Sequence, residues 1–294
     1  MDGAVVAGRV SAARAPGVAL ERAIMICGAG HSGSTLLGML LGRAAGAFYI
    51  GEGAKARYLG DLSKPLRKRA CKVCGDDCPV WSGLTWDGQA PLFPLVASHT
   101  GASTIVDSTK RPDWIVQRAA ETRAAGAEPH LILLLRDGRA VVNSRIRKYP
   151  EKPVAELVEG WLGQMDACRA LFDGFSGPKQ IVRYEELAAE PERVMRDLCD
   201  VSGLTYDPAM LDIAGGEHHP LGGNNGTQFL ATRDNGQAAI VQPGARGRDY
   251  YEQHAGRIRP DMRWKTELSA EHAALFEAMA GTANRACEWE ETGG

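Results

Sequence analysis

Short, uninterrupted apolar runs alternate along this chain with stretches in which apolar residues recur every three to four positions. Runs of the first kind suit strands covered on both faces, and stretches of the second suit helices laid against them. The strands are expected at Ala23 to Cys27, Phe48 to Ile50, Thr104 to Asp107, His130 to Leu135 and Gln180 to Arg183. Helices are expected over Ser34 to Arg43, Asp113 to Ala125, Arg139 to Lys148, Val154 to Phe172 and Pro191 to Val201. This alternation predicts an α/β fold, a doubly wound parallel sheet with helices on both faces. Two stretches lack either period and read as loops above the sheet: a Cys-rich insertion, 61–88, and a long C-terminal loop, 217–259. Such loops are candidates for recognising an acceptor molecule.

Composition narrows the picture. A chain of 294 residues suits one large domain, assigned here to 23–294. Residues 1–22 are rich in Ala, Gly and Arg, lack an apolar signal core and read as a flexible leader. The net charge of -2 comes from scattered, balanced charges, which argues against nucleic-acid partners and confines any anion site to a local patch. No apolar run is long enough to cross a membrane. Four of the seven cysteines, Cys27, Cys168, Cys199 and Cys287, fall within apolar or helical patterns. Buried free thiols of that kind point to a cytoplasmic location.

Chemistry concentrates at the ends of the expected strands. Gly28-Ala-Gly-His-Ser-Gly-Ser-Thr35 joins the first strand to the first helix. Such a turn aims backbone N–H groups and a helix N-terminus at one oxyanion. Gly28, Gly30 and Gly33 supply permissive dihedrals, while Ser32, Ser34 and Thr35 add hydroxyls. The loop matches the nucleotide pattern G-x-x-x-x-G-K-S/T at Gly28, Gly33 and Thr35, but Ser34 stands where the lysine belongs. Triphosphate chemistry is therefore disfavoured, and a donor with one 5′-phosphate fits better.

These residues resemble the sulfotransferases that use 3′-phosphoadenosine 5′-phosphosulfate (PAPS), particularly their bacterial and tyrosylprotein-type branch. The resemblance runs from Ile24 to the last helix and implies a P-loop-NTPase-like sulfotransferase fold. His31 stands where that family usually has Arg or Lys. A protonated His31 would balance charge on the departing phosphate and make the rate pH-dependent near neutrality; a neutral loop histidine making one hydrogen bond is the other reading. Arg136 ends the fourth strand, with Ser144 eight residues on, and the pair resembles the family's 3′-phosphate site; a salt bridge of Arg136 to Asp137 or Glu185 is the alternative. Tyr184, in Val182-Arg-Tyr-Glu-Glu-Leu187, resembles the family's nucleotide-side tyrosine, or packs between sheet and helix. One of Arg233, Arg246 and Arg248 is expected to cover the 3′-phosphate.

For catalysis, Glu52 in Tyr49-Ile-Gly-Glu-Gly53 is the candidate base, with a surface glutamate as its plainer reading. Lys110 is the candidate for balancing charge on the transferring group. Asp107 either orients Lys110 or acts as a magnesium ligand in a rival kinase. Cys71, Cys74 and Cys78 have part of a zinc spacing, but the nearest histidine in sequence is His99; packing thiols, a disulfide and a metal all remain open, and no metal is assigned. The resemblance thus implies sulfuryl transfer from PAPS to a hydroxyl, or an amine, of a small-molecule acceptor, without a metal, releasing adenosine 3′,5′-bisphosphate (PAP). Alternatives are an atypical P-loop kinase and a non-catalytic nucleotide-binding module. Acceptor identity and oligomeric state are left open.

Overall fold

The computed structural model describes residues 17–233 and 258–289. Strands β1 (Arg22–Cys27), β2 (Ala47–Gly51), β3 (Thr104–Asp107), β4 (Glu128–Leu135) and β5 (Lys179–Arg183) form one sheet. Its order is β2-β3-β1-β4-β5, with every neighbouring pair parallel. The helices are α1 (Ser34–Leu41), α2 (Leu66–Arg69), α3 (Leu92–Thr100), α4 (Pro112–Ala124), α5 (Gly138–Lys148), α6 (Val154–Gly174), α7 (Tyr184–Ala189), α8 (Pro191–Ser202), α9 (Asn225–Arg233), α10 (Trp264–Glu267) and α11 (Ala270–Asn284).

The central strand shows why the apolar runs are continuous. Ala23, Met25 and Cys27 of β1 join one buried cluster with α3, α4, α5, α6 and α11, whereas Ile24 and Ile26 join another with α1, α7 and α8. Successive side chains point to opposite faces of a strand, so a sheet covered twice needs apolar residues at every position.

Parallel pairing also sends all five strand ends to one edge, where open α/β sheets hold their ligands. The sequence from Gly28 follows β1, Glu52 follows β2, Lys110 follows β3, Arg136 follows β4 and Tyr184 follows β5. Candidate site residues dispersed over more than half the chain are thereby gathered on one rim.

The segments read as loops hold some regular structure. Helix α2 lies in the Cys-rich insertion, and α9 lies inside 217–259. Within the stretch read as a leader, Leu20 is buried, the Glu21 N–H donates to the Ser103 carbonyl at 2.8 Å, and Arg22 already belongs to β1. Among the described residues, no helix is long and apolar enough to cross a membrane.

Candidate active site

A cavity of about 420 Å³ opens on that rim. Six basic side chains line it against two acidic ones, Glu52 and Asp261, a positive site in a chain of slightly negative net charge. An anionic ligand is what such a surface favours.

The loop after β1 forms one wall. Gly33 has φ 91°, and a Cβ there would stand 2.4 Å from the Tyr184 ring, so glycine is required by backbone and packing together. Gly30, Gly33, Ser34 and Thr35 all line the cavity. Two members are committed elsewhere. The Gly30 N–H donates to Gln164 Oε1 on α6 at 3.0 Å, and Gln164 is itself held by Arg145 at 2.6 Å. Ser32 is buried beneath the loop, and among the described residues its hydroxyl has no partner. Thr35 Oγ1 accepts from the Asn224 N–H at 2.9 Å, which brings the segment before α9 over the loop.

His31 carries a left-handed backbone, φ 77°, as does Lys110, φ 66°; they are the two non-glycine residues so placed among the described residues. Its Nδ1 lies 3.0 Å from Ser144 Oγ on α5, and its carbonyl accepts from Arg136 Nη1 at 2.8 Å. Burial, followed by the positive charges of Lys148, Arg145, Arg136 and Lys110, pushes the His31 pKa down to about 3. At neutral pH the unliganded ring is neutral. With no ligand bound, His31 therefore lacks the positive charge expected of it from the sequence.

Arg136 is buried at the end of β4. The salt bridge weighed for it with Asp137 or Glu185 is not the one it makes: its partner is Asp261, at 3.3 Å. Asp137 instead caps α5 and pairs with Arg139, and Glu185 accepts the Asp137 N–H. Burial opposes ionisation of Asp261, but Arg263 and Arg136 outweigh it and hold the carboxyl well below the usual range. The Arg136 guanidinium stacks 4.2 Å from the Tyr184 ring centre, so Tyr184 both packs against sheet and loop and lines the cavity. Of the arginines considered for the C-terminal loop, Arg246 and Arg248 lie outside the described residues and Arg233 closes α9. Arg259 and Arg263, which the sequence reading did not consider, line the cavity.

Opposite the loop stand Glu52 and Lys110. Glu52 pairs with Lys55 at 2.8 Å and with Lys110 at 3.5 Å. Burial raises its pKa, but the two ammonium groups prevail and keep it below the ordinary value. Lys110 Nζ also donates to the Ser108 carbonyl at 2.6 Å. Asp107 neither orients Lys110 directly nor presents a free edge to a metal. Its Oδ1 accepts from the Gly53 N–H and from Thr109, and Oδ2 accepts from Trp114 Nε1. It braces the two turns that carry Glu52 and Lys110.

The cysteine cluster lies apart from the cavity lining. His99, the nearest histidine in sequence, bonds the Val80 carbonyl; the histidine facing the thiols is His219. No local pattern connects His219 with Cys78, 141 residues away.

A family model described as "Sulfotransferase family" matches residues 23–208, and no curated protein matches the sequence. The fold is similar to that of the sulfotransferase domain from the curacin biosynthetic pathway (TM-score 0.57, 17% identity, covering 90% of this chain and 99% of that one). The sulfotransferase domain of the Synechococcus PCC 7002 olefin synthase is equally similar (TM-score 0.57, 18% identity, 92% and 98%). The mouse sulfotransferase SULT7A1 complexed with PAP is more distant (TM-score 0.50, 8% identity, 91% and 88%).

Proposed function

The chain belongs to the sulfotransferase family, and from that premise we propose that it transfers a sulfuryl group from PAPS to a hydroxyl of a small-molecule acceptor, releasing PAP. The observation that carries this reading is the 3.0 Å contact between His31 and Ser144. It joins the oxyanion loop to the Arg136 site within one cavity, and two adjoining anion sites suit a nucleotide phosphorylated at both 5′ and 3′ positions. A nucleoside triphosphate would use the first site alone. The mouse sulfotransferase of similar fold is complexed with PAP.

In this reading the acceptor oxygen attacks sulfur, the bond from sulfur to the bridging phosphate oxygen breaks, and Glu52 takes the hydroxyl proton. Lys55 and Lys110 keep Glu52 ionised and ready to accept it. Lys110 balances charge on the sulfuryl oxygens, while the first turn of α1 and His31 receive charge on the departing 5′-phosphate. Arg136 and Ser144 hold the 3′-phosphate, and Tyr184 supports Arg136. The kinase alternative loses support because Ser34 replaces the P-loop lysine and Asp107 is consumed by internal hydrogen bonds. Seven unpaired cysteines favour a reducing, cytoplasmic setting.

Calorimetric titration with PAP, beside adenosine 5′-monophosphate and ATP with Mg²⁺, tests the donor class. PAP is expected to bind best. Arg136→Ala should weaken it by about 10- to 100-fold, the scale of a charge-assisted hydrogen bond. Glu52→Gln should leave PAP affinity unchanged and lower turnover of PAPS, over a panel of hydroxyl acceptors, by about 10² to 10⁴. Preference for ATP with Mg²⁺ would put the kinase in its place, and full turnover by Glu52→Gln would remove Glu52 as base.

A further inference from the structure

Four donor atoms meet at the foot of the Cys-rich insertion: the sulfurs of Cys71, Cys74 and Cys78 and a ring nitrogen of His219, all within 4.8 Å of one another. His219 Nδ1 lies 3.3 Å from the sulfurs of both Cys74 and Cys78. Around a tetrahedral zinc ion, with bonds of about 2.3 Å to sulfur and about 2.0 Å to nitrogen, neighbouring ligand atoms stand roughly 3.5 to 3.8 Å apart. The two sulfur–nitrogen distances of 3.3 Å lie close to that range, and the remaining pairs fall within 4.8 Å.

The surroundings are built for the same purpose. The Val73 and Cys74 N–H groups both donate to Cys71 Sγ at 3.4 Å, an arrangement that favours thiolate over thiol. A turn closed by the Gly75 N–H on the Cys71 carbonyl, 3.1 Å, sets the two cysteines of Cys-x-x-Cys side by side. The His219 carbonyl accepts from Trp81 Nε1, which anchors the backbone from which Nδ1 faces the sulfurs. Cys71, Cys78 and His219 are buried. Three thiols and an imidazole are weak partners for one another, whereas one soft or borderline cation satisfies all four lone pairs.

We propose that Cys71, Cys74, Cys78 and His219 bind one zinc ion as a closed structural site. Its role follows from the chain after His219. Lys72 N–H donates to the Pro220 carbonyl at 3.0 Å, and Leu221 N–H to the Ile50 carbonyl at 2.8 Å. Leu221 thereby pairs beside β2 at Gly51, where φ is 86° and a Cβ would stand 2.5 Å from the Leu221 nitrogen. The Glu52 N–H then donates to the Leu221 carbonyl. The ion thus ties the insertion to the segment that runs past Glu52 and on to Thr35, without touching the reacting atoms.

The test is metal analysis of the full chain, purified without chelator from zinc-supplemented culture. One zinc per chain is expected, released to a chromogenic chelator as a mercurial titrates the thiols. Cobalt(II) reconstitution should give tetrahedral d–d bands with thiolate charge transfer. His219→Cys, which keeps four donors, should hold one equivalent, while Cys78→Ser should lose it and melt at lower temperature. These readouts do not depend on the donor or the acceptor. Wild-type chain free of transition metal, with Cys71, Cys74 and Cys78 alkylated rapidly under native conditions or found in a disulfide, overturns the proposal. Zinc retained in a chain lacking both Cys71 and Cys78 does so as well.

Discussion

His31 and Ser144 hold two protons between them when the ring is neutral, and their mutual hydrogen bond uses one. Whichever tautomer is present, the pair offers a bound anion a single donor; a protonated ring adds a second. The free ring is neutral because burial and four cations depress its pKa to about 3. A bisphosphate reverses the local charge and raises that value, so binding takes up a proton and tightens as pH falls through the raised pKa toward the free one. The ratio of PAP affinity between wild type and His31→Asn should therefore grow from pH 8 to pH 6, by up to about tenfold per unit. Titration of the phosphate itself is common to both proteins and cancels. A flat ratio would mean that His31 stays neutral throughout. The left-handed backbones of His31 and Lys110 fit the same picture, since strained residues persist where a site over-determines them.

At the scale of elements, the site depends on the close seating of the β1–α1 loop against the start of α7. Gly33→Ala would drive a methyl group into the Tyr184 ring and force a left-handed alanine, at a cost of about 1 to 3 kcal/mol. Its expected result is PAP binding weakened by more than tenfold in calorimetry. Tyr184→Ala in the same chain should recover little, because the backbone strain remains and the ring over Arg136 is gone. The strands were readable in advance to within two residues: β1 to β4 are apolar runs buried on both faces, while β5, with Val182 buried and Ile181 exposed, showed itself by its β-branched pair before the turn into α7. Helix α3 was missed because Pro91 and Pro94 punctuate its first turn. Helix α9 begins Asn-Gly, a pair that reads as a turn.

Across the whole molecule, α11 closes the face that carries α5 and α6. Phe276 stacks against Trp161, ring centres 5.6 Å apart, and the buried Asn284 accepts the Gly138 N–H at 2.6 Å. Asn284→Ala would leave that donor unpaired at the start of α5, costing about 1 to 3 kcal/mol. Thermal unfolding should show a midpoint lower by about 2 to 4 °C per kcal/mol. Local pattern determined much of this protein from sequence: the strands, the parallel sheet, and the residues that follow each strand, because parallel pairing sends every strand end to one edge. What only the tertiary structure decided is which distant groups meet there. Asp261 reaches Arg136 across 125 residues, Gln164 reaches Gly30 across 134, and His219 reaches Cys78 across 141. Such meetings are set by the paths of loops over a folded core, and neither hydrophobic period nor motif spacing records where those paths end.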